Sequence, residues 1–154
     1  MSQNDPLPAL DAFAADLIAN LEPGARRQLA AEIAKALQRR QAQRIAAQEN
    51  PDGTPYEPRK PQMRRKQGRI RRTMFAKLRT ARYLKAASTP EESVVRFVDS
   101  VARIAAVHHG GLRDYVNRRR ALQIDYPKRE LLGFTEADID LIREITTDHL
   151  AGRE

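Results

Sequence analysis

The chain has 154 residues, which is enough for one ordinary domain and too few for two large ones. It carries 28 Lys and Arg against 20 Asp and Glu, a formal net charge of +8, and it contains no cysteine. Disulfides, cysteine zinc sites and thiol nucleophiles are therefore excluded. No apolar run approaches the roughly 20 residues of a membrane helix, and no signal-peptide pattern is present. These features favour a soluble cytoplasmic protein with no membrane partner.

The positive charge is concentrated in one run. Between Pro58 and Pro90 there are twelve basic residues and no acidic residue, whereas the rest of the chain has 16 basic and 20 acidic residues. Because like charges at this density repel, we predict that residues 50–72 form an extended, partly flexible basic arm. Leu, Ile, Val and Phe make up only 33 of the 154 residues. We therefore expect a small hydrophobic core, which is completed by contacts with neighbouring molecules.

Two helices are predicted for the first third of the chain. Apolar residues recur at three- and four-residue spacing over residues 10–21, which indicates one apolar stripe. Glu22-Pro23-Gly24 interrupts the pattern, although Pro23 suits the first turn of the next helix. That second helix is predicted over residues 25–47, with Gln41 and Arg44 on its polar side. Its buried side is predicted to carry Leu29, Ile33, Leu37 and Ile45.

A turn, an extended stretch and a third helix are predicted for the middle of the chain. Asn50-Pro51-Asp52-Gly53 has the residue order that a type I turn favours. The prolines that follow, Pro55, Pro58 and Pro61, keep the chain extended because each lacks an amide donor. From Thr73 the apolar spacing predicts a helix that ends near Ser88.

The last third predicts short strands and two helices. Ser93–Val98 is β-branched and aromatic, and Ala121–Tyr126 is a second candidate strand, so a small sheet is expected around these two. Between them, a helix capped by Asp99 or Ser100 is predicted to end at Gly110-Gly111.

The final helix is the best-specified element. Thr135 is a suitable N-cap, and Phe134 and Ile139 have the spacing of a hydrophobic staple. Asp138, Asp140 and Glu144 are expected on a solvated face that complements the helix dipole. The predicted fold class is α+β: a helix-dominated single domain over residues 1–154, with a small antiparallel sheet and an extended basic arm.

The residues do not indicate catalysis or metal binding. Adjacent His108 and His109 point about 100° apart on a helix and cannot converge on one metal ion, and His149 is distant in sequence. No serine has the glycines of a nucleophile elbow, and no glycine spacing fits a phosphate-binding loop. We therefore predict no catalytic residue, no cofactor and no metal site, and a protein that is not an enzyme.

The basic arm is the strongest physical signal. Arginine suits bidentate pairing with carboxylates and phosphates, although charge runs are also often solvated loops. The residues predicted to bind a partner are Arg59, Lys60, Arg64, Arg65, Lys66, Arg69, Arg71 and Arg72. The alternative function is a nucleic-acid-binding module that uses residues 59–85 to hold the phosphate backbone, with salt-sensitive, non-specific contact to DNA.

Several stretches together resemble a known family. They are Asn50–Tyr56 with Pro58-Arg59-Lys60 behind it, Met74–Arg79, Arg103-Ile104-Ala105 leading into His108-His109 and Gly111, and Tyr126–Phe134. The last stretch, an aromatic-Pro-x-Arg-x-Leu-Leu-Gly run that enters a capped helix, is the most specific. Over most of its length the chain resembles the phage virion morphogenesis proteins, the S-type tail completion proteins of contractile-tailed phages.

The resemblance implies a structural assembly protein rather than an enzyme. Such a protein would complete the head-proximal end of the tail and enable head–tail joining, so its place would be the virion, after assembly in the host cytoplasm. The implied partners are further copies of itself, in a ring such as a hexamer or another homo-oligomer. Tail tube or tail terminator proteins and head–tail connector proteins would be its neighbours.

Overall fold

Among the residues that the structure describes, helices dominate the fold and four short strands accompany them. The structure is a computed structural model that describes residues 7–59, 73–117 and 121–152. Its elements are α1 (Leu7–Ala19), α2 (Pro23–Ala47), β1 (Leu84–Ser88), β2 (Ser93–Phe97), α3 (Asp99–Gly110), β3 (Arg113–Asn117), β4 (Leu122–Asp125) and α4 (Glu136–Leu150). The predicted α+β class is confirmed. Nowhere in these three ranges is a helix both long enough and apolar enough to cross a membrane.

The chain divides into two compact units. Unit 1 comprises residues 1–36, 86–94 and 136–154, and unit 2 comprises residues 37–85 and 95–135. Helix α2 runs through both, because its first half belongs to unit 1 and its second half to unit 2. The candidate site described below lies entirely in unit 2.

The buried side of α2 differs from the predicted one. Pro23 does begin the helix, but the buried positions are Ala30, Ala34, Leu37, Gln41, Arg44 and Ile45. The positions predicted as buried at 29 and 33 are only half-buried. The assignment of Gln41 and Arg44 to the polar side was therefore wrong. The reason is tertiary: both side chains hydrogen-bond to loop residues that pack against this helix.

The helix predicted from Thr73 to Ser88 is absent from these residues, all of which the structure describes. Residues 74–79 form turns, and β1 occupies the end of the predicted helix. Phe75 adopts a positive φ of 61°, which a right-handed helix cannot accommodate. The apolar spacing has another cause, because Met74, Phe75 and Leu78 pack against the core cluster of unit 2.

In the described part of the chain, the strands form two sheets rather than one. β2 and β4 confirm the two predicted strands, but β2 pairs with β1 and β4 pairs with β3, each in a two-stranded sheet. The β3–β4 pair is antiparallel, with Arg113 opposite Asp125 and Asp114 opposite Ile124. The prediction of one sheet around β2 and β4 was therefore wrong, because each strand pairs with a sequence neighbour that carried no strong strand signal.

The ends of α3 are only partly as predicted. Neither Asp99 nor Ser100 is the N-cap; Val98 holds that position in an extended conformation and makes no side-chain capping bond. At the other end Gly111 adopts a left-handed conformation with φ of 64°, which confirms the predicted stop. Leu112 continues this end by donating its amide to the Val107 carbonyl at 2.9 Å.

Helix α4 begins directly after Thr135, as predicted. Asp140 and Glu144 are exposed, but Asp138 is only 2% exposed, so the expectation of a solvated face was wrong for this residue. Phe134 is 64% exposed, so it contributes little to a buried hydrophobic staple. Within unit 1, α4 meets the end of α1 where the Asn20 amide donates to the Leu150 carbonyl at 3.4 Å.

Candidate functional site at the base of the basic arm

The structure reaches only the edge of the predicted binding residues. Arg59 is described and is exposed. The other seven, Lys60, Arg64, Arg65, Lys66, Arg69, Arg71 and Arg72, lie outside the described residues. Their role in partner binding stays a prediction. The structure does show how both flanks of this stretch, residues 57–59 and 73–75, are held.

Arg129 fixes the first flank. It is 3% exposed, and its guanidinium donates from Nε to the Glu57 carbonyl at 2.7 Å and from Nη2 to the Pro58 carbonyl at 3.2 Å. Burial lowers the pKa of Arg129 below its ordinary value, but arginine stays charged at neutral pH. A charged, forked donor therefore sets the direction in which the chain leaves Pro58.

Gln48 fixes the second flank. Its side-chain oxygen accepts from the Met74 amide at 3.0 Å, and its Nε2 donates to the Met74 carbonyl at 2.9 Å and to the Ile45 carbonyl at 2.6 Å. Both backbone polar groups of Met74 are thus satisfied by one side chain. Arg129 and Gln48 together hold the chain on either side of the basic stretch.

Arg44 holds the loop that carries Arg129. It is buried, and its Nη1 donates to the Glu49 carbonyl at 2.9 Å and the Glu130 carbonyl at 2.8 Å. Its Nη2 donates to Gln41 Oε1 at 2.6 Å and to the Leu131 carbonyl at 3.1 Å. This one cation therefore joins α2 to residues 130–131 through backbone carbonyls rather than through a carboxylate.

Four rings form a continuous edge-to-face chain beside these arginines. Tyr56 and Phe75 have ring centroids 5.9 Å apart, Phe75 and His108 4.9 Å, and His108 and Tyr126 4.8 Å. Such pairs stabilise beyond simple area burial. These rings link Tyr56, immediately before the first flank, to the second flank, α3 and the segment after β4.

The residues that hold the two flanks form the base of the basic arm. The stretches that carry the family resemblance meet there. Asn50 accepts the Glu130 amide at 2.9 Å, and the Tyr56 hydroxyl donates to the Glu130 carbonyl at 3.2 Å. A Cβ on Gly133 would collide with Cγ of Pro51. Leu131, which is fully buried, belongs to the same core cluster as Tyr56. The predicted turn at residues 50–53 is confirmed by the Gly53 amide donating to the Asn50 carbonyl at 3.0 Å.

Exposed basic residues follow the second flank in the sequence. Lys77, Arg79 and Lys85 are exposed, and none of them has an ion pair with any residue that the structure describes. A cavity of about 360 Å³ opens between the flanks, with Arg59 and Lys77 beside apolar walls from Phe75 and Leu78. The base therefore presents positive charge next to apolar surface.

The two units have opposite charge. Unit 1 contains 5 basic and 13 acidic residues, a net charge of −8, and unit 2 contains 23 basic and 7 acidic residues, a net charge of +16. The sequence-based picture of a mildly acidic body with a basic stretch is therefore refined, because the acidic residues are gathered mainly in unit 1. A surface of either sign attracts a partner of the other.

The phage virion morphogenesis family matches residues 6–151, which is nearly the whole chain. The chain belongs to this family. Among curated proteins, the chain is similar to "Tail completion protein S" of Escherichia phage P2. The two sequences are 48% identical over 136 residues, an alignment that covers 87% of this chain and 90% of that protein. No solved structure matches the chain. These matches confirm the resemblance and lend no support to the nucleic-acid-binding alternative.

Sequence reasoning missed the residues that hold the base. Arg129 stood in the most specific stretch of the family resemblance without a role, and Gln41 and Arg44 were assigned to the polar side of α2. A signal was available: positions 30, 34, 37, 41, 44 and 48 alternate in steps of four and three, the spacing of one helix face. Polar residues that continue an apolar face indicate buried hydrogen bonding.

Acidic pH should lower the free energy of unfolding of the chain through His108, which lies at the base of the basic arm. Burial, and then the Arg129 and Arg59 charges, lower the pKa of His108 in the folded chain. Below the ordinary histidine pKa of about 6.5 the unfolded chain binds a proton that the folded chain does not. The contribution of His108 to stability is thus complete above that value and is lost as the pH falls below it. Urea unfolding at a series of pH values should show that the free energy of unfolding of His108→Phe falls less in acid than that of the parent protein.

His109→Phe is the matched control, since it changes the neighbouring histidine and leaves the ring chain intact. This variant should keep the greater acid sensitivity of the parent. Identical pH profiles for the parent and His108→Phe would contradict the assignment.

Proposed function

We propose that this chain is a structural phage protein that completes the head-proximal end of the tail and enables head–tail joining. One observation carries the proposal: the 48% identity to a tail completion protein, spread over 87% of this chain. The family match over residues 6–151 supports it. Its place is the virion, at the interface of tail and head, after assembly in the host cytoplasm, and its role is structural rather than enzymatic.

The basic arm is the proposed contact with other virion proteins. Arg59 ends the first held flank, and the seven further cations follow it in the sequence before the second held flank begins. Held flanks reduce the number of directions in which an arm can leave, so less conformational entropy is lost when it binds. The proposed neighbours are a tail tube or tail terminator protein and a head–tail connector protein, bound through acidic groups.

Self-assembly into a ring is part of the proposal. The chain is one functional domain whose −8 and +16 units offer opposite charges to neighbouring copies. Contacts between different surfaces of identical chains close into a ring when the rotation permits, and a hexamer is one such ring. A ring with basic residues near its axis would also make non-specific, salt-sensitive contact with DNA.

The direct test is electron microscopy of particles made without this protein. Full heads beside separate tails of normal length are the expected result, and supplying the protein should restore joined particles. Tails of abnormal length would show a length-terminating role instead, and normal joined particles would overturn the proposal.

The arm is tested by neutralising its charge. Replacing the eight basic residues between Arg59 and Arg72, both included, by glutamine should abolish head–tail joining in the same assay while the protein still folds, because the side chains would no longer pair with acidic partners. The matched control exchanges arginine for lysine and lysine for arginine at the eight positions and so keeps the charge. It should retain most of the joining, and equal joining by the neutral variant would contradict a role for the arm.

A further inference from the structure

Helix α1 turns its apolar stripe to solvent. Leu10 is 60% exposed, Phe13 57%, Ile18 63% and, just beyond the helix, Leu21 55%. The stripe is the one that the sequence predicts, but it does not pack into the core. Contiguous exposed apolar surface of this kind marks an interaction site.

A second exposed apolar patch lies in unit 2, on the β3–β4 hairpin. Leu122 and Ile124 lie on one face of β4 because they are two residues apart, and they are 52% and 37% exposed. Leu112, immediately before β3, is 51% exposed. The acidic residues of this hairpin are engaged within the chain, since Asp125 pairs with Arg113 and Asp114 pairs with Arg103.

Charge identifies the occupant of the α1 stripe. Helix α1 carries Asp11 and Asp16 and no basic residue, and its unit has a net charge of −8. Two α1 helices would therefore repel one another, whereas the hairpin patch belongs to the unit of net charge +16. Complementary apolar patches with opposite charge favour contact between different surfaces of two copies.

We propose that α1 of one copy docks its apolar stripe on the β3–β4 hairpin of a second copy. The inference rests on the proposed function, because this head-to-tail contact is what would join copies into the ring. A contact between two different surfaces leaves a free stripe and a free hairpin at the ends, so it continues until the ring closes.

The absence of cysteine allows a clean test by disulfide trapping. Phe13→Cys and Leu122→Cys are made in separate chains, mixed in equal amounts and oxidised mildly. The mixture should give a disulfide-linked dimer, and a chain that carries both substitutions should give a ladder of linked copies. Phe13→Cys alone and Leu122→Cys alone should stay largely unlinked.

A control on the far side of α1 separates this contact from random collision. Ala12 is exposed and lies on the opposite side of the helix from the stripe, so Ala12→Cys mixed with Leu122→Cys should give little dimer. A linked dimer of Phe13→Cys with itself would show pairing of two α1 helices and overturn the proposal. No dimer above the Ala12→Cys control, or linkage only within single chains that carry both substitutions, would also overturn it.

Loss of assembly provides an independent measurement. Phe13→Ser should weaken self-association about tenfold or more by light scattering, as expected for loss of an apolar anchor, and Ala12→Ser should not. Circular dichroism checks that both variants fold. If Phe13→Ser assembles normally but particles without the protein fail to join, the docking contact is wrong and the proposed function stands. If joining does not need the protein at all, the proposed function is wrong.

Discussion

Replacement of Arg44 by methionine should lower the free energy of unfolding by about 4 kcal/mol or more. Methionine fills much of the same volume but donates no hydrogen bond, so the four charge-assisted bonds to Gln41, Glu49, Glu130 and Leu131 are lost together. Each charge-assisted bond of this kind contributes about 1.5–3 kcal/mol. Urea unfolding followed by far-ultraviolet circular dichroism measures the loss.

Arg27→Met is the matched control for this prediction. Arg27 is an exposed residue of the same helix, and its replacement should change stability by no more than about 0.5 kcal/mol. Arg44→Lys should recover only part of the loss, because a lysine cannot present two forked nitrogens to several carbonyls. Equal stability of Arg44→Met and Arg27→Met would show that the buried guanidinium does not hold the base.

Replacement of Gly111 by alanine should cost about 3 kcal/mol, as the sum of backbone strain and overpacking. Gly111 ends α3 with φ of 64°, a conformation that L side chains rarely adopt. A Cβ there would also lie 2.8 Å from the Lys128 amide nitrogen and 2.9 Å from its Cβ. Since Arg129 follows Lys128, the displaced segment is the one that fixes the first flank of the arm. Thermal or urea unfolding measures the loss.

Substitutions at two other glycines separate backbone strain from overpacking as causes of the stability loss. Gly152 has φ of 66° but open space around a Cβ, so Gly152→Ala should cost about 1 kcal/mol from strain alone. Gly24 lies in α2 with open space and no positive φ, so Gly24→Ala should raise stability by about 0.5 kcal/mol. A loss for Gly111→Ala no greater than that for Gly152→Ala would contradict the close approach of Lys128.

Local signals were sufficient where the chain itself supplies the cause. The turn at residues 50–53, the strand β2, the start of α4 after Thr135 and the stop of α3 at Gly111 all follow from residue types that act on their own backbone. The family could also be identified from sequence, because its stretches are contiguous and specific.

Local signals failed where a distant group supplies the cause. The spacing from Met74 to Leu84 fits a helix, but Gln48 binds the Met74 backbone and the apolar side chains pack on a core formed by other segments. β1 consists largely of residues common in helices and becomes a strand because β2 pairs with it. Asp138 has the pattern of a solvated first-turn residue and is nonetheless buried.

The sequence by itself determined the α+β class, the family, the concentration of positive charge after Pro58 and the amphipathic stripe of α1, since composition and periodicity are properties of the chain alone. Only the tertiary structure decided which polar residues are buried, which strands pair and which apolar stripe is left exposed. The spacing along α2 could mark Gln41 and Arg44 as candidates for burial, but the partners of Gln41, Arg44 and Arg129 could not be assigned from sequence because most of them are backbone carbonyls. Every residue has such a carbonyl, so only folding selects the ones that these side chains bind.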